Sequence, residues 1–146
     1  MPDKQGVAVF GTASPSERVV HFREEDVLVS NIRPYFKKMW FATTEGGCNA
    51  DVLCFRALDK RFSYLLKSIM YQDGFFDYVM SGAKGTKMPR GDKKHIMQYQ
   101  IPWFSDGQLH KFNALASSIE QNQALNRQEM SSLEASKEVL LATLSR

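Results

Sequence analysis

The sequence predicts an α+β protein: a small domain with a mixed β-sheet, residues 1–105, followed by one long coiled-coil helix, residues 106–146. The chain has 146 residues, which is room for one ordinary domain with an appended element. Short β-branched runs bounded by glycine and proline fill the first part, whereas the tail is rich in helix-forming residues. The charge changes at the same place, because residues 1–105 carry 15 Lys and Arg against 11 Asp and Glu, and the tail carries 4 against 5.

Four short apolar runs in the first part have the length and composition of β-strands. They cover residues 7–10, 18–22, 27–30 and 51–56. Gly46 and Gly47 predict a turn before the last of these strands.

Two short helices and one more strand are expected next. Phe62, Leu65, Leu66 and Ile69 repeat at the spacing of one helical face, which predicts a helix over residues 61–70. A second helix is expected over residues 75–80, and a strand over residues 96–101 that ends at Pro102.

The tail has the clearest periodicity. Eight of eleven positions spaced alternately three and four apart, from 109 to 144, are apolar, which predicts a coiled-coil seam. The seam residues expected to contact a partner helix are Leu109, Phe112, Ile119, Met130, Leu133, Leu140 and Leu144. Ser105 or Asp106 is the expected N-cap, and 36 helical residues span about 54 Å. Gln123 and Asn126 in the middle of the seam would fix the register of a helix pair.

Several classes of protein are disfavoured by composition. No apolar run is long enough to span a bilayer and no signal peptide opens the chain, so a cytoplasmic protein is expected. Cys48 and Cys54 are too few for a disulfide framework and wrongly spaced for a zinc site. His21, His95 and His110 lack metal-ligand spacing, and the carboxylates form no acid–base pair. We therefore predict neither a metal site nor a catalytic residue.

Two basic segments carry the strongest chemical signal. The first, termed the basic loop, runs from Lys84 to Lys94 and has a single acidic residue, Asp92; its candidate contact residues are Lys84, Thr86, Lys87, Arg90, Lys93 and Lys94. The second contains Arg33, Lys37 and Lys38, interleaved with Tyr35, Phe36, Trp40 and Phe41. Cations neutralise phosphates and arginine forks read guanine edges, so this pattern indicates a nucleic-acid surface. The alternative interpretation is solvated charge around core aromatics.

Three segments of the sequence, in order, resemble parts of one known family. They are residues 26–38 (DVLVSNIRPYFKK), 46–53 (GGCNADVL) and 85–92 (GTKMPRGD). Together with the long helix that follows, they resemble the target recognition domains of type I restriction–modification specificity subunits. The resemblance covers roughly residues 10–146.

This resemblance implies a non-catalytic DNA reader of prokaryotes. In that family a recognition domain reads half of a gapped DNA target, and the long helices act as spacers and dock methyltransferase subunits. Those partners would use S-adenosylmethionine to methylate adenine, and restriction subunits would use ATP and Mg²⁺ to cut, so no cofactor is expected in this chain. The residues expected to contact DNA are Arg33, Lys37, Lys38, Lys84, Thr86, Lys87, Arg90, Lys93 and Lys94.

The chain departs from the family pattern in its size. A standard specificity subunit has two recognition domains and two long helices, whereas one of each is present here, and the segment that usually opens a recognition domain is missing. The resemblance therefore implies a half-subunit that pairs through its helix with a second copy or with another half-subunit. Two copies paired antiparallel would read an inverted repeat with a fixed gap.

Two other classes of function remain open. The long helix also fits a coiled-coil interaction protein that binds no DNA. Asn31 to Tyr35 partly matches the Asn-Pro-Pro-Tyr signature of adenine methyltransferases, so a methyltransferase fragment is the third alternative, although the sequence has no glycine-rich methyl-donor motif.

Overall fold

The computed structural model describes residues 8, 11–12 and 19–144 of the chain. It divides into two compact units, Met1–Ser105 and Asp106–Arg146. The first holds small antiparallel sheets and short helices, and the second is one long helix, so the predicted α+β class is confirmed. The strand expected over residues 7–10 lies outside the described residues except at Ala8, which belongs to no strand.

The described part of the first unit contains two sheets. The strands, in chain order, are β1 (Val20–Phe22), β2 (Val27–Ser30), β3 (Met39–Phe41), β4 (Gly46–Cys48) and β5 (Val52–Phe55). β1 pairs with β4, and β2 lies between β3 and β5 in a three-stranded sheet. All three pairings are antiparallel, so the single mixed sheet was a wrong prediction. The connection between β2 and β3 is too short for the crossover that parallel strands need.

Gly46 and Gly47 lie in β4 rather than in the predicted turn. A Cβ atom on Gly46 would lie 2.8 Å from Cζ of Phe22, and one on Gly47 would lie 2.9 Å from Cγ2 of Val19. Both glycines therefore serve close approach to neighbouring side chains, a role that the turn signal in the sequence does not distinguish.

Within the described residues, four α-helices complete the fold. They are α1 (Ser63–Met70), which continues a 3₁₀ turn at Lys60–Phe62, α2 (Asp73–Ser81), α3 (Lys93–Ile96) and α4 (Asp106–Leu144). The predicted helices over 61–70 and 75–80 are confirmed as α1 and α2, with shifted ends. The predicted strand over 96–101 was wrong: Ile96 ends α3, which begins because the Asp92 carboxylate accepts hydrogen bonds from the N–H groups of Lys94 (2.9 Å) and His95 (3.4 Å).

The hydrophobic core lies on both faces of the three-stranded sheet. Val27 and Val29 of β2 face a cluster with Phe75, Phe76 and other helix residues. Leu28, between them, faces a second cluster with Phe22, Trp40 and Ala42. A strand covered on both faces reads as a continuous apolar run, which is why the pattern of residues 27–30 identified β2 correctly.

The second unit is α4, a helix of 39 residues that spans about 58 Å. Leu109 is buried, and every described side chain from residue 121 onward is exposed. Among the described residues, no helix is both long and apolar enough to cross a membrane.

Candidate nucleic-acid interface

The two basic segments singled out by the sequence lie side by side. We term residues 31–38, which connect β2 to β3, the arm. Ile32 of the arm and Arg90 of the basic loop form an antiparallel bridge. The Arg33 N–H donates to the Pro89 carbonyl at 2.8 Å, and the Gly91 N–H donates to the Asn31 carbonyl at 3.2 Å. The arm and the basic loop therefore form one continuous surface, termed the arm–loop surface.

The basic loop is closed by its own backbone. Lys84 and Arg90 exchange two N–H to carbonyl hydrogen bonds, both 2.9 Å long. Gly85 has a φ of 96°, a conformation that residues with a Cβ rarely adopt. The exposed residues between these ends include Thr86 and Lys87, which lie at the tip.

Gly91 allows the loop to approach the arm closely. A Cβ atom there would lie 2.8 Å from Oδ1 of Asn31, 2.9 Å from Cδ1 of Ile96 and 3.0 Å from Cγ1 of Val79. Any larger residue requires these side chains or the loop itself to shift.

The end of the basic loop is anchored on α2. The His95 ring stacks on Tyr78 with centroids 4.2 Å apart, and its Nε2 lies 3.0 Å from the Tyr78 carbonyl oxygen and 3.1 Å from Oγ of Ser81. The Tyr78 hydroxyl in turn donates to the His95 carbonyl at 3.1 Å. This contact fixes α3, and with it the backbone that carries Lys93 and Lys94.

Three of the predicted DNA contacts are paired with carboxylates of the protein. The pairs are Lys84–Asp92 at 2.6 Å, Arg90–Asp51 at 3.2 Å, and Lys37–Asp73. All three are at least partly exposed, so each adds little to stability. They offset part of the positive charge of the surface. Asp51 and Asp73 were not predicted as partners because both are remote in sequence from the cations that they meet.

Asp92 is the most strongly perturbed acid of this surface. The Lys84 ammonium, followed by the N–H groups of Lys94 and His95, lowers the pKa of Asp92 to about 2. Its carboxylate therefore stays charged at neutral pH and serves both as a cap for α3 and as the partner of Lys84.

The other predicted cations are differently placed. Arg33, Lys87, Lys93 and Lys94 are exposed and make no ion pair with any other described residue. Lys38 lies with its Nζ 5.5 Å from the centre of the Phe36 ring. These are the positive charges best placed for an external phosphate.

The aromatic residues of the second basic segment divide into two groups. Tyr35 and Phe36 are exposed, whereas Trp40 is buried and packs edge-on against Phe22 with centroids 5.5 Å apart. Phe41 is half-buried and contacts Tyr64. The interpretation as core therefore holds for Trp40 and Phe41, which lie in β3, a strand that the sequence analysis missed.

The residue just before β2, Asp26, is a buried carboxylate. Asp26 accepts hydrogen bonds from Arg56 Nε (2.7 Å) and Nη2 (2.6 Å) and from the Arg23 N–H (2.7 Å). Burial raises the pKa of Asp26, but these hydrogen bonds outweigh it and the net shift is downward.

Burial, together with the hydrogen bond to Asp26, raises the pKa of Cys54 to about 12, and burial also raises that of Cys48. Protonated thiols are poor nucleophiles, so both fit a packing role.

The predicted seam on α4 is only partly exposed. Leu109 is buried and Phe112 is half-buried, whereas the remaining seam residues are more than half exposed: Ile119, Met130, Leu133, Leu140 and Leu144. The apolar side chains Leu125 and Val139 are also exposed and lie outside the seam. The exposed part of the seam therefore begins near Ile119.

No protein-family model matches this sequence, and no curated protein matches it either. Over the described part of the chain, no three His, Cys, Asp or Glu side chains gather as a set of metal ligands.

Proposed function

We propose that this chain is a sequence-specific DNA-recognition subunit of a type I restriction–modification complex and that it binds double-stranded DNA through the arm–loop surface. The observation that carries the proposal is the meeting of two basic segments, distant in sequence, through the hydrogen bonds from Arg33 to Pro89 and from Gly91 to Asn31. The resemblance of three ordered segments to the specificity subunits gives the more particular class.

The cations without carboxylate partners supply the affinity in this proposal. Arg33, Lys87, Lys93 and Lys94 bind phosphates and release the counterions condensed on DNA. Arg90 and Lys84 are paired with Asp51 and Asp92, so each gains most where a base edge is a better partner than its carboxylate, which suits reading of base edges more than attraction to any phosphate.

The catalytic steps belong to partners in this proposal. Methyltransferase subunits supply S-adenosylmethionine and methylate adenine, and restriction subunits supply ATP-dependent cleavage with Mg²⁺. The chain itself contributes no catalytic residue and works in the cytoplasm of a prokaryote. Its helix α4 pairs with a second copy or another half-subunit and docks the methyltransferase.

The salt dependence of binding tests the role of the arm–loop surface. We expect the full-length chain to bind mixed-sequence duplex DNA with an affinity that falls as salt rises. Arg33→Gln with Lys87→Gln should reduce the slope of log affinity against log salt by about 2, because two phosphate contacts are lost. Fluorescence anisotropy over a salt series measures it.

The matched control is Arg127→Gln with Lys111→Gln, which removes one arginine and one lysine that are exposed and lie outside the arm and the loop. The control should leave the slope unchanged. An equal effect of the two double variants would remove the arm–loop surface from the interface.

A helix-mediated interaction protein is the second candidate, and the exposed apolar side chains of α4 favour it. It requires self-association or partner capture without salt-dependent DNA affinity. Wild-type protein that forms dimers but shows no DNA binding at low salt would therefore replace the first proposal by this one.

A further inference from the structure

The tip of the arm exposes two aromatic rings. Tyr35 and Phe36 are 46% and 40% exposed, and their centroids are 4.6 Å apart. Exposed aromatic pairs on a soluble protein mark binding surfaces more often than isolated apolar residues do. The core clusters include Trp40 and Phe41 but neither of these two rings.

The backbone beneath the rings is fixed in an unfavourable conformation. Tyr35 and Phe36 lie in a 3₁₀ turn at Pro34–Phe36, flanked by Arg33 (φ 50°) and Lys37 (φ 53°), both left-handed. Residues with a Cβ persist in that region only where the surroundings enforce it, which is common at ligand-binding sites.

Several contacts enforce the conformation of this turn. Pro34 is buried, the Lys37 N–H donates to the Pro34 carbonyl at 2.8 Å, and the Lys37 side chain pairs with Asp73 of α2. The basic loop holds the other end through the hydrogen bond from Arg33 to Pro89. These contacts hold the turn that carries the two rings before any ligand binds. Little conformational entropy of the arm is therefore lost on binding.

The charges around the rings indicate the kind of partner. Arg33 and Lys38 flank them, and Lys38 lies over the Phe36 ring. Flat apolar groups surrounded by cations match a ligand in which flat apolar bases alternate with anionic phosphates. An apolar groove of a protein would match the two rings but would offer no anionic partner to these cations.

We propose that Tyr35 and Phe36 act as a wedge that enters a base-pair step of duplex DNA and unstacks it, while Arg33 and Lys38 hold the phosphates beside that step. This inference rests on the proposed DNA binding of the arm–loop surface. The favoured substrate is duplex DNA with a pyrimidine–purine step, which unstacks at the lowest energetic cost.

The experiment uses the full-length chain and short duplexes that carry 2-aminopurine at one TA step, with or without a mismatch opposite it. Wild-type protein should increase 2-aminopurine fluorescence on binding, because unstacking relieves quenching. It should also bind the mismatched duplex about tenfold more tightly, since part of the unstacking is already done. Tyr35→Ala with Phe36→Ala should lose both effects and keep the salt slope, because no cation is removed.

Tyr71→Ala, which removes another exposed aromatic ring outside the arm, is the control and should behave as wild type. DNA binding by wild type with no fluorescence increase overturns the wedge and leaves the proposed function standing, a result that needs no variant. The wedge is likewise overturned, and the proposed function left standing, if Tyr35→Ala with Phe36→Ala still binds the mismatched duplex more tightly. Absence of any DNA binding by wild type overturns the proposed function and the wedge with it.

Discussion

At the scale of single residues, Gly91 joins the core to the arm–loop surface. Because a Cβ there would lie within 3.0 Å of Asn31, Ile96 and Val79, we expect Gly91→Ala to displace the basic loop from the arm. Overpacking of this kind costs about 1–3 kcal/mol of the free energy of unfolding. DNA affinity should fall while the salt slope stays close to wild type, since no charge is lost. Urea unfolding and anisotropy measure the two effects.

The control for this substitution is Gly74→Ala. Gly74 lies in the first turn of α2, and beyond its chain neighbours and the backbone of its own helix nothing lies within 4 Å of the position of its Cβ, so alanine fits there. It should leave both stability and DNA affinity at or above wild type. Gly91→Ala with unchanged affinity would mean that the arm and the loop work independently.

The buried carboxylate of Asp26 makes a second residue-scale test. Asp26→Ala leaves the Arg23 N–H and the Arg56 guanidinium without their acceptor, and we expect a loss of about 2 kcal/mol in the free energy of unfolding. The value is at the lower end for a broken buried pair because the Arg56 side chain is 46% exposed. Asp77→Ala, an exposed acid of α2, should change stability by less than about 0.5 kcal/mol.

The pH dependence of the Asp26 effect follows from the direction of its shift. The pKa of Asp26 is lowered on folding, so its contribution is fully present above its unfolded pKa of about 3.9 and is lost as the pH falls through the folded value. The unfolding free energies of wild type and Asp26→Ala should therefore converge below about pH 4. A difference that persists into strong acid would show that the substitution acts through packing alone.

At the scale of elements, the sequence predicts what is local and misses what depends on distant contacts. The helices α1 and α2 follow from apolar periodicity, and β2 follows from its apolar run. The strand expected over residues 96–101 fails because one capping acid, Asp92, together with the contact between His95 and Tyr78, favours a helical turn there. β3 was not predicted because its apolar run is only three residues long and directly follows two lysines. Its pairing with β2 is what makes it a strand.

The candidate site shows the same limit. The cations were found because they cluster in sequence, and both clusters lie in the arm–loop surface. The division between paired and unpaired cations was not predictable, because Asp51 and Asp73 reach Arg90 and Lys37 only in the folded chain. The separation of Tyr35 and Phe36 from Trp40 likewise depends on where β3 begins.

The polar residues of α4 suggest one register for a pair of copies. In an antiparallel pair, a layer that sets Gln123 against Asn126 of the second copy also sets Ile119 against Met130 and Ala116 against Leu133. The two amides then meet each other, a small residue faces a large one, and Lys137 lies opposite Phe112. A parallel pair would instead place Lys137 against its own copy, a repulsion of like charges in the seam.

Cross-linking tests this register. In a chain with Cys48→Ser and Cys54→Ser, the pair Ile119→Cys with Met130→Cys should give disulfide-linked dimers on oxidation. Ile119→Cys alone should give none, whereas a parallel pair would link through that single site.

Ile119→Glu with Leu133→Glu should yield monomers in light scattering, because charge enters two layers of the seam. Dimers that survive this change would rule out the seam.

At the scale of the whole molecule, the proposed function of a half-subunit that pairs with a second copy predicts a symmetric target. In that proposal two antiparallel copies are related by a two-fold axis, and each copy binds one half of the target. We expect adenine methylation at a gapped inverted repeat in cells that express the chain with a methyltransferase subunit to which it binds. Genome-wide methylation mapping measures this. An asymmetric gapped motif would instead require a different half-subunit as partner.

The carboxylates that hold Lys84, Arg90 and Lys37 bear on how such a protein would find its site. A cation that already has a carboxylate gains little by exchanging it for a phosphate in a random stretch of DNA. Attraction to bulk genomic DNA is thereby weakened, and the protein leaves a wrong stretch sooner. At the right sequence, base contacts add to the exchange and the complex lasts longer. The three ion pairs would therefore shorten the search for the target, because the protein would spend less time bound to nonspecific DNA.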